Sequence, residues 1–231
     1  MPETLREFHQ RVDGFMLDSL PREGGLVTRE PLREKVGPDG RMLPFFGNTM
    51  IYDLPDAVKV QISRMQVLLH HLCGPCLAEP LSPATLHLTL HDLLNGVDES
   101  ALRDGVAATG TQAEALLADM RREIAPPVQL RSVAAFNMVN GSVALGFAPE
   151  TEADCARIMA LHARFQQVVA LGYPLTPHVT LAYYRPGSYA RDMVDALAEA
   201  LRQINALPPV HLSLSAEMLH YRRFSDMNHY F

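Results

Sequence analysis

The chain has 231 residues, 48% of them hydrophobic and 20% charged, enough for a proper buried core and unlike a disordered chain. Its formal net charge of −6 argues against a protein that grips long duplex nucleic acid through many phosphates, yet leaves room for a small anionic substrate in a local pocket. No run is long and apolar enough to span a bilayer, the opening "MPETLREFHQ" has no apolar signal-peptide core, and three cysteines do not suggest a disulfide framework, so a soluble, cytoplasmic protein is expected.

Residues 4–20 carry Leu5, Phe8, Val12, Phe15 and Met16 at helical spacing, and residues 21–41 read as an irregular arm rich in Gly, Pro and charge. "FFGNTMIYDLP" (45–55) reads as a strand, 56–72 as a helix stopped by "CGPC", and 85–92 as a strand. Residues 98–124 are expected to be helical with an interruption near Gly110. Residues 128–149 read as two strands joined at Asn140-Gly141, a strong hairpin signal. A helix from about 150, ended by Gly172, then a strand at "HVTLAYY", a helix over 188–206 and a strand in "VHLSLSAEMLHYRRF" complete the chain.

A repeat lies in this order. "MIYDLPDAV" leads through a helix and a Pro-containing loop into "TLHLTL", and "VALGFAPET" leads through the same parts into "TPHVTL". Pro55 stands 32 residues before His87, and Pro149 stands 29 before His178. On the first strand Leu86, Leu88 and Leu90 share one face, and Thr85, His87, Thr89 and His91 the other; on the second, Thr176, His178 and Thr180 oppose Val179 and Leu181. A lone strand histidine is ordinarily structural. Two in equivalent places of a doubled unit point to a shared groove, reached if the units pack with pseudo-twofold symmetry.

Two imidazoles and two hydroxyls suit phosphodiester chemistry without a metal. A neutral histidine accepts a proton near neutral pH while a charged one donates. Threonine hydroxyls donate to the nonbridging oxygens of a phosphate. His87 and His178 are thus candidates for acid and base, and Thr89 and Thr180 for phosphate binding. Further contacts are expected from Tyr52, in phase with Asn48 and Met50, from His91, and from Tyr184, which could stack a base.

The paired His-x-Thr-Leu elements, with Leu54-Pro55 opening the first unit, resemble the 2H phosphoesterase superfamily. The likeness is to its bacterial RNA 2′,3′-cyclic phosphodiesterase branch, also called 2′,5′-RNA ligase-like, over about residues 45–222. Gly47-Asn48-Thr49 and the N-terminal extension match a little-characterised bacterial branch. The resemblance implies an α+β, bilobal fold: a pseudo-twofold duplication with antiparallel sheets lining a central groove and helices outside. It implies an extension over 1–44 and a phosphoesterase domain over 45–231, with lobes of about 45–127 and 128–231 between which strands can exchange. It also implies hydrolysis of a 2′,3′-cyclic phosphate on a nucleotide or short RNA end, with His87 and His178 as acid and base and no cofactor.

Three other readings compete. A catalytically silent nucleotide or RNA-end binder would use the same groove. Cys73 and Cys76 in "CGPC" carry the letters of a thiol oxidoreductase, or with His70 and His71 a zinc site, but fall after a helix instead of before one. His220, Arg222, Arg223 and His229 near the C-terminus form a cluster that reads as a solvated strand edge.

Overall fold

In the computed structural model, which describes residues 3–123 and 125–231, regular structure begins at a capping box. Thr4 accepts from the Glu7 amide, and the Glu7 carboxylate accepts from the Thr4 amide, so two orphan donors are satisfied together. The elements then run α1 (Leu5–Met16), β1 (Leu26–Val27), β2 (Phe46–Asp53), α2 (Asp56–Cys73), β3 (His87–Gly96), α3 (Glu99–Arg122), β4 (Val128–Met138) and β5 (Ser142–Pro149). They continue through α4 (Glu152–Phe165), β6 (His178–Tyr183), β7 (Ser188–Tyr189), α5 (Arg191–Asn205), β8 (His211–Leu214), β9 (Leu219–Asp226) and β10 (His229–Tyr230).

Two antiparallel sheets carry the α+β body. One has the order β10-β9-β2-β3 and the other β6-β5-β4-β8, while the short pair β1-β7 ties the N-terminal arm to the second half. The doubled unit is therefore β2-α2-β3 and β5-α4-β6. In each copy the second strand is a sheet edge, and the two edges, β3 and β6, lie against each other. The helices tie the halves together. From α2, which packs on β6 and α5, the Gln66 amide donates to the Leu181 carbonyl at 3.0 Å, and α4 reaches across to β3. The main core is continuous through both sheets, and α1 buries Phe8, Val12 and Met16 on β4 and β5. No helix among the described residues is long and apolar enough to cross a membrane.

Several boundaries depart from those read in the sequence. Helix α3 runs unbroken through Gly110, where a Cβ would stand 2.6 Å from the Tyr221 hydroxyl: the glycine admits a neighbour and breaks nothing. The β4–β5 turn centres on Val139 and Asn140, both at positive φ (50° and 55°), one residue earlier than Asn140-Gly141. Asn137 holds it there, its amide donating to Asn140 Oδ1 and its own Oδ1 accepting from the Asn140 amide. Helix α4 ends at Phe165, well before Gly172. The C-terminal strand is in fact two, split between sheets: β8 pairs with β4, and β9 crosses back to pair with β2. Strands β9 and β10, late in the chain, thus complete the sheet that β2 and β3 begin.

Gly110→Ala sets a helix-propensity gain of about 1 kcal/mol against overpacking of about 1–3 kcal/mol. A lower urea midpoint is expected; a higher one would show that Tyr221 yields freely.

Candidate active site

Strand β3 starts with strict alternation. Leu88 is buried while His87 and Thr89 are half-buried on the opposite face. Alternation then breaks, because Leu90 is an extra residue: Thr89 pairs with Ile51 and His91 with the adjacent Met50. The face that carries His87 and Thr89 therefore continues at Asp92, and His91 turns to the packed side. Strand β6 repeats the irregularity at the matching place. Thr180 pairs with Ala144 and Ala182 with Val143, so Leu181 is the extra residue and Tyr183 follows Thr180 on the cavity face. Both strands show the same sequence of half-buried and buried residues.

The residues after the Leu90 register shift are pinned by Asn48 and Thr49. Asn48 is 1% exposed; its Oδ1 accepts from the Leu94 amide at 3.0 Å, and its Nδ2 lies within hydrogen-bond distance of Val106 O, Thr109 Oγ1 and the Tyr221 hydroxyl. Thr49 Oγ1 donates to the His91 carbonyl at 3.1 Å and faces Asp92 Oδ1 at 3.5 Å.

Each histidine is held by the backbone just upstream. His87 Nδ1 is 2.6 Å from the Thr85 carbonyl, and His178 Nδ1 is 2.7 Å from the Thr176 carbonyl. A carbonyl only accepts, so each Nδ1 carries the hydrogen and each Nε2 is left to gain or lose a proton. Burial pushes both imidazoles below their ordinary value, opposed in each by the carbonyl bond and by the negative charge of Asp92. At His87 a proton on His178 adds to the fall, so the pair resists holding two protons at once. The Tyr230 ring packs on His87 with centroids 4.6 Å apart.

These groups line a single cavity of about 650 Å³ that takes in His87, Thr89, His178, Thr180 and Asp92. Tyr173, whose hydroxyl donates to Asp92 Oδ2 at 3.0 Å, Tyr183 and Tyr230 also line it, as do Arg11, Arg29 and Lys35 from the N-terminal segment. Burial pushes the Tyr183 phenol up to about 12, so it is neutral at any working pH. Of these, Asp92 left a trace in the sequence as the sole charged residue of its strand. Nothing in the pattern points to Tyr173, Tyr183, Tyr230, Arg29 or Lys35, which arrive through the bulges, the arm and β10.

Two expected contacts lie elsewhere, and a third reaches the cavity wall almost closed off. Tyr52 is 1% exposed in the core, paired with Leu88 and Leu219; it is in phase with Asn48 and Met50, but that phase faces inward. Tyr184 is buried, its hydroxyl donating to Asn137 Oδ1 at 3.1 Å, so it has no face for a base. His91 touches the cavity wall but is only 1% exposed, its ring tilted at 40° against His162 with centroids 4.9 Å apart and neither ring nitrogen hydrogen-bonded. Cys73 and Cys76 are both buried at the end of α2, the Cys76 thiol donating to the Cys73 carbonyl. Their thiols are closed to any partner protein, and no cluster of three His, Cys, Asp or Glu suited to a metal occurs among the described residues. Arg222 and His220 are engaged by Asp53 at 3.1 and 3.6 Å, and His229 by Asp226.

An α+β body with a doubled strand-helix-strand unit and one His-x-Thr on each facing edge defines the class as 2H phosphoesterase. The family model of the 2'-5' RNA ligase superfamily matches residues 54–223, and the chain belongs to that superfamily. Among solved structures, a conserved protein of unknown function from Agrobacterium tumefaciens shares the fold, with a TM-score of 0.64, 16% identity and 96% of each chain covered, a span that takes in most of the N-terminal segment. LigT of E. coli with 3'-AMP gives a TM-score of 0.49 at 16% identity over 81% of this chain and 94% of that one. The apo form of LigT gives 0.46 at 15% identity over 82% and 95%. No curated protein matches the sequence.

Asn48→Ala removes a buried amide and strands its partners, including the Leu94 amide. A loss of about 1–3 kcal/mol in chemical denaturation is expected; an unchanged midpoint would show that the register shift holds without it.

Proposed function

We propose that the protein hydrolyses a 2′,3′-cyclic phosphate, on a nucleotide or a short RNA end, to a phosphomonoester by two-histidine acid–base catalysis that needs no metal. The observation that carries this reading is the pair of backbone-anchored imidazoles, each with a threonine two residues on, facing one cavity from equivalent strands. Membership of the superfamily supports the same chemistry.

The substrate phosphorus sits between the two Nε2 atoms. The neutral imidazole takes a proton from water as the water oxygen bonds to phosphorus. The P–O bond to one ring oxygen breaks opposite the attack, and the imidazolium gives its proton to that leaving oxygen. Thr89 and Thr180 donate to the nonbridging oxygens, where charge shifts during the displacement. The pair works with a single proton: burial favours the neutral ring, Asp92 favours the charged one, and repulsion at His87 disfavours a second proton. Roles of acid and base follow from which ring oxygen faces which histidine.

His87→Ala and His178→Ala are each expected to lower kcat on adenosine 2′,3′-cyclic phosphate about 10²–10⁴-fold, with thermal stability and product binding largely kept. Turnover by the parent should persist in EDTA. A parent that binds nucleotide yet turns over no cyclic phosphate is a silent binder, and activity abolished by chelator makes it a metal enzyme.

Asp92→Asn removes the negative charge that raises the proton affinity of both histidines. The base then stays neutral to lower pH, and the acid loses its proton at lower pH. Both limbs of the bell-shaped pH–rate profile should therefore move acidward; an unmoved profile would remove Asp92 from this role.

A further inference from the structure

Among the described residues, the cations lining the cavity are Arg11, Arg29 and Lys35, all from the segment before β2. Arg11 is already engaged, by both oxygens of Glu3 at 2.8 Å and by the Leu175 carbonyl. Arg29 and Lys35 have no carboxylate within 4.0 Å among the described residues. In a chain of net charge −6, two unmatched cations on the wall of one cavity mark a place for a bound anion.

The arm is built to present them. Thr28 donates its amide to the Gly187 carbonyl at 3.0 Å and Arg29 donates its amide to the Asn140 carbonyl at 3.1 Å, while Leu26, Leu32 and Val36 are buried. The Arg29 side chain lies across Gly141, where a Cβ would meet Nε at 3.0 Å and Cδ at 3.3 Å, so that glycine clears its path. The Lys35 ammonium stands 4.7 Å over the Phe45 ring, half-buried, with a cation–π contact and no counter-ion. Burial without a paired charge is unfavourable for an ammonium, and an incoming anion relieves it.

The charges acting on Lys35 differ from those acting on the histidines. Lys35 feels both Arg29 and Asp92, and Tyr173 and Tyr183 feel Arg29 and Asp92. The charges that bear on His87 and His178 include Asp92 but neither arm cation. Asp92 thus acts on the histidines and on Lys35 alike.

We propose that Arg29 and Lys35 form a second anion subsite, and that the substrate is a cyclic phosphodiester carrying an additional phosphate monoester, held there while the ring phosphate meets the histidines. A dianion answers two cations better than the monoanionic ring phosphate does alone. The catalytic half of this inference rests on the proposed hydrolysis, and the binding half does not.

The test compares paired ligands on the intact protein. Titration calorimetry with adenosine 3′-phosphate and adenosine 3′,5′-bisphosphate reads binding. Turnover of adenosine 2′,3′-cyclic phosphate with and without a 5′-phosphate reads chemistry. The extra phosphate is expected to tighten binding and raise kcat/KM about tenfold or more at low salt. In Arg29→Gln/Lys35→Met, which keeps the aliphatic stem over Phe45, the ratio should fall to near one. A ratio near one in the parent overturns the subsite, as does a folded double variant that keeps the parental ratio. Preference in binding with neither cyclic compound turned over keeps the subsite and sinks the hydrolysis; turnover without preference does the reverse.

Discussion

One added residue in each of two edge strands decides what the cavity contains. Leu90 in β3 and Leu181 in β6 each break the period of two immediately after the His-x-Thr. The leucines themselves are buried, at 1% and 0% exposure, so the irregularity is anchored in the core on both sides of the site. Immediately downstream the side chains change face, in β3 until a second register shift between Asp92 and Asn95. Asp92 and Tyr183 enter the cavity, His91 keeps only 1% exposure at its wall, and Tyr184 is buried away from it. Because the same step occurs in both copies, the duplication extends beyond the histidines to the local backbone that supports them.

That step also explains what the sequence could and could not disclose. Alternation is unbroken over Leu86–Leu90 and over Val179–Leu181, so His87, Thr89, His178 and Thr180 could be placed on one face by counting. The count fails from the next residue on, so Asp92 and Tyr183 go unread, while His91 and Tyr184, expected to be open to substrate, are each 1% exposed. Tyr52 fails differently: its phase was right, but a strand with both faces packed does not announce which one is walled by helices. The Val139–Asn140 turn was misplaced by one residue because a β-branched residue at positive φ is a choice local preference argues against, here overruled by the Asn137 hydrogen bonds. Contacts made by the arm and by β10 depend on tertiary packing alone, so no local pattern could reveal them.

Electrostatics in the cavity differs from that of the whole chain. Two imidazoles lose proton affinity by burial and regain part of it from Asp92, while Tyr173 holds that carboxylate in place. The buried phenols around them stay neutral, and Asp92, joined at His87 by Asp53, supplies the negative charge that bears on the histidines. Burial of the imidazoles strengthens the action of each such charge on them, since charges are screened less away from bulk water.

Strand β9 pairs with β2 across 167 to 177 positions of sequence, and β10 then sets Tyr230 on His87. Contacts so far apart form late, since a long loop must close before they repay its entropy. On the ribosome, both His-x-Thr strands have emerged, and β5 and β6 can pair, while β2 still offers an open edge to any passing chain. The nascent protein thus holds both His-x-Thr imidazoles before it holds the wall behind one of them, and the cavity is complete only with the last crossover.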